Sequence, residues 1–306
     1  MSWFSGLIDF LMLCLWVRWL PVDKTKLELN VYIAVLFNRM DRLFAFMRQV
    51  LPLPNPVNAA ILCGVFGLLR AGVWRYLQVT PQMVFGQYFT LTPPSQASAY
   101  LIGCSFLMFA VFLVKFWLVV EITALLAAPE QSRNFAARAF RTFCRPASML
   151  PVAAKVVFYP ACCAALAVLF AALNPVLTLP VALTAPDAGV HTVQLAALPE
   201  FARQIALLSV ALAIDALDLL RLILMFALFL NLLTVFLMPG RFLFAFSMDL
   251  IDVLMGRFSS AVRFAKGRTP GMGLDFVPLI FFFAVNMLYN SATVGLFKAF
   301  QFWIGK

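Results

Sequence analysis

Charge is scarce in this 306-residue chain: Asp, Glu, Lys and Arg together make up 12% of it, and only 13 residues are acidic. An ordinary soluble domain is about 25% charged and roughly 45–50% apolar. Here 64% of the residues are hydrophobic, and the mean hydropathy is +0.96. A water-soluble fold of this length cannot hide so much apolar surface, because the buried fraction grows slowly with size. A soluble enzyme is therefore excluded, and lipid is the solvent for much of the chain. The 33 phenylalanines exclude disorder.

Histidine occurs once, at His191, so a haem held by two histidines of this chain is excluded. A Ser/His/Asp triad would have to use His191, which sits in a Pro-rich stretch with no nucleophile motif beside it. The six cysteines (Cys14, Cys63, Cys104, Cys144, Cys162, Cys163) show no CxxC spacing, and all but Cys144 lie in apolar runs. They read as small hydrophobes, not as a disulfide framework or a zinc site. No Gly-rich turn carries the Lys-Ser/Thr that would hold a phosphate. No catalytic residue, cofactor or metal is expected, and the chain is not read as an enzyme.

Long apolar runs are what the chain has in abundance. A bilayer core of ~30 Å needs about 20 apolar residues of helix. Six segments qualify, at about 3–20, 57–79, 99–128, 152–173, 205–238 and 276–297. The N-terminus has no basic n-region, so the first run is expected to be a membrane helix and not a cleaved signal. These runs are too long and continuous for barrel strands. The predicted fold is all-α: a polytopic transmembrane helical bundle of about six spans.

The connections sort by charge. Segments 21–56, 129–151 and 239–275 carry 5, 4 and 5 Lys/Arg, whereas 80–98 and 174–204 carry 0 and 1. The positive-inside rule places the basic connections in the cytoplasm and both termini outside, in a bacterial cytoplasmic membrane. The net charge of +10 is then a consequence of topology, and nucleic acid is not needed as a partner. The outer connections are rich in Pro, Ser and Thr, and short β or irregular structure is expected there.

The basic connections share a plan. Pro21, Pro129 and Pro239 each close an apolar run, at spacings of 108 and 110 residues. A fixed period marks repeated units, which divides the chain into two-span units at 1–95, 96–204 and 205–306. Each basic connection carries a stretch with helical polar periodicity: Asn38, Arg42, Ala45, Gln49; Asn134, Arg138, Arg141, Arg145; and Asp249, Asp252, Gly256, Ser259, Arg263. The opposite faces hold residues such as Phe37, Met40, Leu43 and Phe44, Phe135, Phe140 and Phe143, or Leu250, Leu254 and Phe258. In-plane amphipathic helices on the cytoplasmic face are predicted, apolar side in lipid, with Arg42, Arg138, Arg141 and Arg263 toward anionic head groups. Besides lipid, other membrane proteins are the expected partners.

The turn before the last run reads Arg268-Thr-Pro270-Gly-Met-Gly273-Leu-Asp275-Phe-Val-Pro278. Asp275 suits a helix N-terminus, and Pro278 then falls in the first turn, where a missing N–H costs little. The run of basic residues, Pro, Gly, Asp and Pro, entering a helix, resembles the signature of the YggT/YlmG family of small bacterial and plastid membrane proteins. The match is good over about 205–300, weaker around 3–79 and weakest around 100–173. Family members usually carry two such units, whereas three are read here. The resemblance implies a role in membrane organisation, assembly or osmotic stress, without catalytic chemistry.

Ionisable groups inside the runs are costly and count as functional candidates. They are Asp9, Arg70, Arg75, Lys115, Glu121, Asp215, Asp218 and Arg221, four of each sign. Asp218 and Arg221 share a helix face. Arg75, near the outer interface, is expected to snorkel. Two readings compete. In one, ion pairs between helices fix the packing; in the other, Asp215 and Asp218 serve an ion or proton path with Arg70, Lys115 or Arg221 as counter-charges. The balance of signs favours the first. The expected function is the organisation or assembly of a membrane protein complex, with a small-solute or ion transporter as the alternative.

Overall fold

The computed structural model describes residues 2–19, 31–50, 52–85, 88–126, 135–145, 147–180, 189–194, 201–237, 246, 249–254 and 277–304. Helix α1 is Ser2–Trp19, α2 is Val31–Val50, α3 is Asn55–Tyr76 and α4 is Ser98–Leu126. Helix α5 is Phe135–Phe143, α6 is Val152–Leu173, α7 is Phe201–Leu237 and α8 is Val277–Ile304. A further helical stretch lies at 249–254. The chain is mostly helical, as its apolar runs predict; the long helices keep close to their runs, except that α8 continues to Ile304, seven residues beyond the expected end. Four helices, α3, α4, α6 and α8, are long and apolar enough to cross a membrane. The chain is thus a helical membrane protein. Helices α1 and α7 carry more charge for their apolar length, with Asp9 and Arg18 on the first and Arg203, Asp215, Asp218 and Arg221 on the second.

In three stretches, α1–α2–α3, α4–α5–α6 and α7–(249–254)–α8, a helix lies in the chain between two of the apolar ones. Packing runs across the expected unit boundaries. Helix α4 lies against α1, α3, α6 and α7, and α7 also packs on α6 and α8.

The helix ends are set by residues with fixed backbone preferences. Pro54 precedes α3, and the Val57 and Asn58 amides donate to its carbonyl. Pro151 stands in the same place before α6. Proline suits a helix start because the first N–H groups lack partners anyway. At the far ends the chain turns through left-handed residues, Gln78 (φ 52°) and Asn174 (φ 45°). Asparagine tolerates that conformation well.

Short β structure, expected in the poorly charged connections, stands at this end of an otherwise helical chain. The two poorly charged connections form one antiparallel sheet of four strands, β1 (Met83–Phe85), β2 (Phe89–Thr92), β3 (Val176–Pro180) and β4 (Val190–Gln194), in that order. Each connection supplies a hairpin, and β2 joins β3 with Leu91 opposite Leu177. The sequence alternates to match: Met83, Phe85, Phe89, Leu91, Leu177 and Leu179 are buried, and Val84 is exposed. The buried side completes the largest core with Phe170, Leu208, Phe297, Phe300 and Trp303. Phe85 meets Phe170 edge-on at 5.5 Å, and Phe89 sits 4.7 Å from Phe300. We call this the sheet end of the bundle, and the opposite one the basic end.

A correction concerns the in-plane helices. Their apolar stripes were expected in lipid, yet the bundle itself covers much of them. Phe37, Met40 and Phe44 of α2 are buried with Cys14, Leu15, Val17 and Ala59. Leu250 and Leu254 are buried against Leu220 and Leu224 of α7. Phe143 of α5 packs against the same core as Phe44. Leu43 of α2 does stay exposed. Periodicity shows which side of a helix is apolar, not what covers it. All six cysteines are free thiols, four of them buried.

Candidate functional site

Helix α4 runs through the middle of the bundle and is the most buried of the four long apolar helices. Three of its residues, Ser105, Lys115 and Glu121, each meet a charged group from a different neighbour. Their separations of ten and six residues correspond to steps of about 15 Å and 9 Å along the helix. Polar contacts are therefore spread over the depth of the bundle instead of gathering in one cleft.

Nearest the sheet end, Arg70 of α3 is completely buried. Its Nη1 lies 2.5 Å from Asp9 Oδ1 of α1, and its Nε donates to Ser105 Oγ at 2.9 Å. Nη2 donates to the Ser105 carbonyl, and the Ser105 hydroxyl donates to the Gly67 carbonyl at 2.7 Å. The guanidinium also sits 5.5 Å from the Trp74 ring. A buried guanidinium persists only when paired and hydrogen-bonded, and three helices are needed to achieve that here. Gly67 permits it: a Cβ there would come within 2.6 Å of the Phe106 ring, so α3 and α4 approach closely at this level.

Deeper in the bundle, Lys115 of α4 forms an ion pair with Asp215 of α7. The Lys115 ammonium is 5.5 Å from the Phe85 ring, so the first hairpin of the sheet reaches down to the pair and roofs it. Lys115 also acts electrostatically on Asp9 and on Asp218. One turn along α7, Arg221 Nη2 lies 2.5 Å from Asp218 Oδ1, and Nη1 donates to Asn286 Oδ1 of α8 at 3.1 Å. Arg221 sits 4.7 Å from the Tyr289 ring. Toward the basic end, Lys155 of α6 bonds both oxygens of Glu121, at 2.8 and 2.9 Å.

Each of the four carboxylates predicted inside apolar runs thus has a basic partner. Three of the pairs tie different helices together: α1 to α3, α4 to α7, and α4 to α6. Asp218 pairs within its own helix, and Arg221 then reaches α8. The ionisable candidates of the apolar runs do not form one cluster, since Glu121 and Lys155 stand apart from the Asp9 to Arg221 series. Arg75 lies at the sheet end and donates to Ser98 Oγ.

Two charged residues inside the runs escaped the sequence reading. Lys155 is the fourth residue of α6, and Arg18 closes α1, pairing with Asp41 of α2. Matching depths would have found Lys155. It lies as near the basic end of its helix as Glu121 lies to that end of α4. Ser105 and Asn286 gave no signal, because neutral polar residues in apolar helices are common.

Arg42, Arg138 and Arg141 are exposed on α2 and α5, which touch one another at the basic end. Arg263, Arg268, Pro270, Gly273 and Asp275 lie outside the described residues, and Pro278 is the second residue of α8. His191, on the exposed strand β4, faces Leu179 across the sheet. Among the described residues no three His, Cys, Asp or Glu side chains gather as metal ligands would. The carboxylates of the interior are already neutralised by bases, so the arrangement holds helices in register.

No family model, curated protein or solved structure matches this chain.

Proposed function

We propose that the chain is a six-span, non-catalytic integral membrane protein that organises or assembles a membrane protein complex. The pairing of the four interior carboxylates carries this reading. A transport path needs a charge that can be released, whereas these charges lock α1, α3, α4, α6 and α7 to one another. Apolar side chains on the flanks support it as well: Val65, Leu68 and Leu69 on α3 and Val156 and Val157 on α6 are exposed, and suit lipid or the helices of a partner. In this reading α1 and α7 are the fifth and sixth spans. The 18 residues of α1 give a length of about 27 Å, close to a bilayer core. The charge asymmetry of the connections supports a bacterial cytoplasmic membrane with both termini outside. The segment from Arg268 to Pro278 supports distant kinship with the YggT/YlmG proteins.

Mild-detergent purification with mass spectrometry tests the role. A reproducible membrane protein partner in near-stoichiometric amount is expected. A lone monodisperse particle that carries ions or solutes across liposomes would overturn it.

One observation favours the transporter as a second reading. Lys115 pairs with Asp215 and also acts electrostatically on Asp9 and Asp218, so one ammonium serves three acidic groups. Replacing Asp215 and Asp218 by Asn separates the two. Reduced protein level with unchanged flux fits the scaffold; normal level with lost flux fits transport.

A further inference from the structure

The surface of α2 divides into three strips. Phe37, Met40 and Phe44 are buried in the bundle. Asn38, Arg42, Ala45 and Gln49 form an exposed polar strip. Between these two strips lie Leu43 and Phe46, 44% and 64% exposed, with Arg39 among them. A helix wholly surrounded by water has no use for the third strip, and a helix wholly buried has none for the second. A helix lying along the side of a bundle at the membrane surface needs all three.

Helix α5 extends the same surface. It touches α2, shares its core through Ala139 and Phe143, and exposes Arg138 and Arg141. The one acidic residue within α2, Asp41, is engaged by Arg18. Among the described residues no acidic side chain pairs with Arg39, Arg42 or Arg141.

We propose that this α2–α5 surface is a binding site for the head group of an anionic phospholipid. The guanidinium groups of Arg39, Arg42 and Arg141 would meet the phosphodiester, which suits their planar donors. Leu43 and Phe46 would enter the acyl region beside it. The exposed apolar strip decides for lipid over an acidic protein, because a purely electrostatic partner would leave Leu43 and Phe46 in water. The site requires a membrane setting, and is independent of whether the protein organises a complex or transports a solute.

Full-length protein in a neutral detergent tests this at low salt. It is titrated with dihexanoyl phosphatidylglycerol, dihexanoyl phosphatidylcholine or inorganic phosphate, and the thermal unfolding midpoint is read. The phosphatidylglycerol should raise the midpoint by several degrees, and the other two should not. Arg42→Gln with Arg141→Gln should weaken the response about tenfold or more, while Arg42→Lys with Arg141→Lys should retain most of it. Leu43→Ser with Phe46→Ser should weaken it with every arginine in place. Equal responses to both lipids would overturn the proposal, as would a phosphate response matching that of phosphatidylglycerol. So would an undiminished response in the glutamine or serine variants. A response to soluble polyglutamate that equals the lipid's and survives the serine changes would reassign the surface to an acidic protein.

Discussion

At the sheet end the chain leaves α3 and α6 through left-handed residues, and the two connections pair into one sheet. At the basic end it leaves α1 and α4 and re-enters through α2 and α5, helices bonded within themselves. Both devices satisfy backbone groups where the bundle stops. They differ in reach: β2 and β3 are more than 80 residues apart in the chain, so the sheet ties distant parts of the bundle. A helix satisfies its own backbone and attaches to the bundle through side chains alone. The sheet end spends its apolar residues inward and carries few charges. The basic end also buries an apolar stripe, but keeps a rim of arginines outside. One end closes the bundle and the other presents a surface.

The comparison can be broken most severely at the interior pair that holds the fully buried arginine. Replacing Asp9 by Ala leaves Arg70 charged in a fully buried place, at a cost of about 3–5 kcal/mol. Thermal unfolding and protein yield should both fall steeply. Asp9→Leu combined with Arg70→Met should recover much of the loss, because it removes both charges together.

Next come the two attachment faces. Phe44→Ala on α2 should cost about 3–5 kcal/mol, whereas Phe46→Ala, two residues on and exposed, should lie within about 0.5 kcal/mol. Leu91→Ala on the buried side of the sheet should cost about 2–5 kcal/mol. Unfolding followed by fluorescence in detergent reads all three. If Phe46 proved as costly as Phe44, α2 would be covered on both sides.

Gly67→Ala sharpens the contrast between helix contacts. Its new methyl meets Phe106, whose ring is partly exposed and can turn away, so a cost of about 1–3 kcal/mol is expected. Phe106→Ala should relieve the strain that the methyl adds. A small effect is expected for the ion pair at the basic end as well. Asp41 is half exposed, and Asp41→Asn should change stability by no more than about 1 kcal/mol, less in high salt.

Cys144 supplies a pH test in the turn after α5. Burial, reinforced by the Glu121 carboxylate, pushes this thiol well above its ordinary value. The thiolate is the reactive form. Because the folded value is raised, the thiol stays protonated as pH rises through the range where an unfolded cysteine ionises. Maleimide labelling should therefore be slow between pH 7 and 9 and become fast on denaturation. Rapid labelling of Cys144 itself in the native protein at pH 8, read by peptide mass and so separated from the half-buried Cys63 and Cys162, would contradict this burial.

Much of the helical framework was legible from run length alone. Twenty apolar residues in succession leave few alternatives, and α6 begins and ends where its run does. The sheet was less legible. Alternation in Met83–Phe85 and Phe89–Thr92 covers three or four residues, and the pairing of Leu91 with Leu177 depends on contacts far apart in sequence. The faces of α2 were half legible: the period marked Phe37, Met40 and Phe44 as apolar, while their cover came from α1 and α3. Most of the charged sites were legible as residues, Lys155 and Arg18 excepted, and only one of them as a pair. Asp218 and Arg221 are neighbours on one helix, so spacing sufficed. Glu121 and Lys155 lie on helices whose adjacency no local pattern encodes.

The central claim is that interior charges lock the helices together. The direct measurement compares Asp215→Ala with the double change Lys115→Met and Asp215→Leu, reading thermal stability together with ion flux in liposomes. The single change should lower stability strongly, the double change should restore much of it, and flux should stay at the level of empty liposomes throughout. A wild-type flux above that level that disappears in a stable double variant would contradict the account.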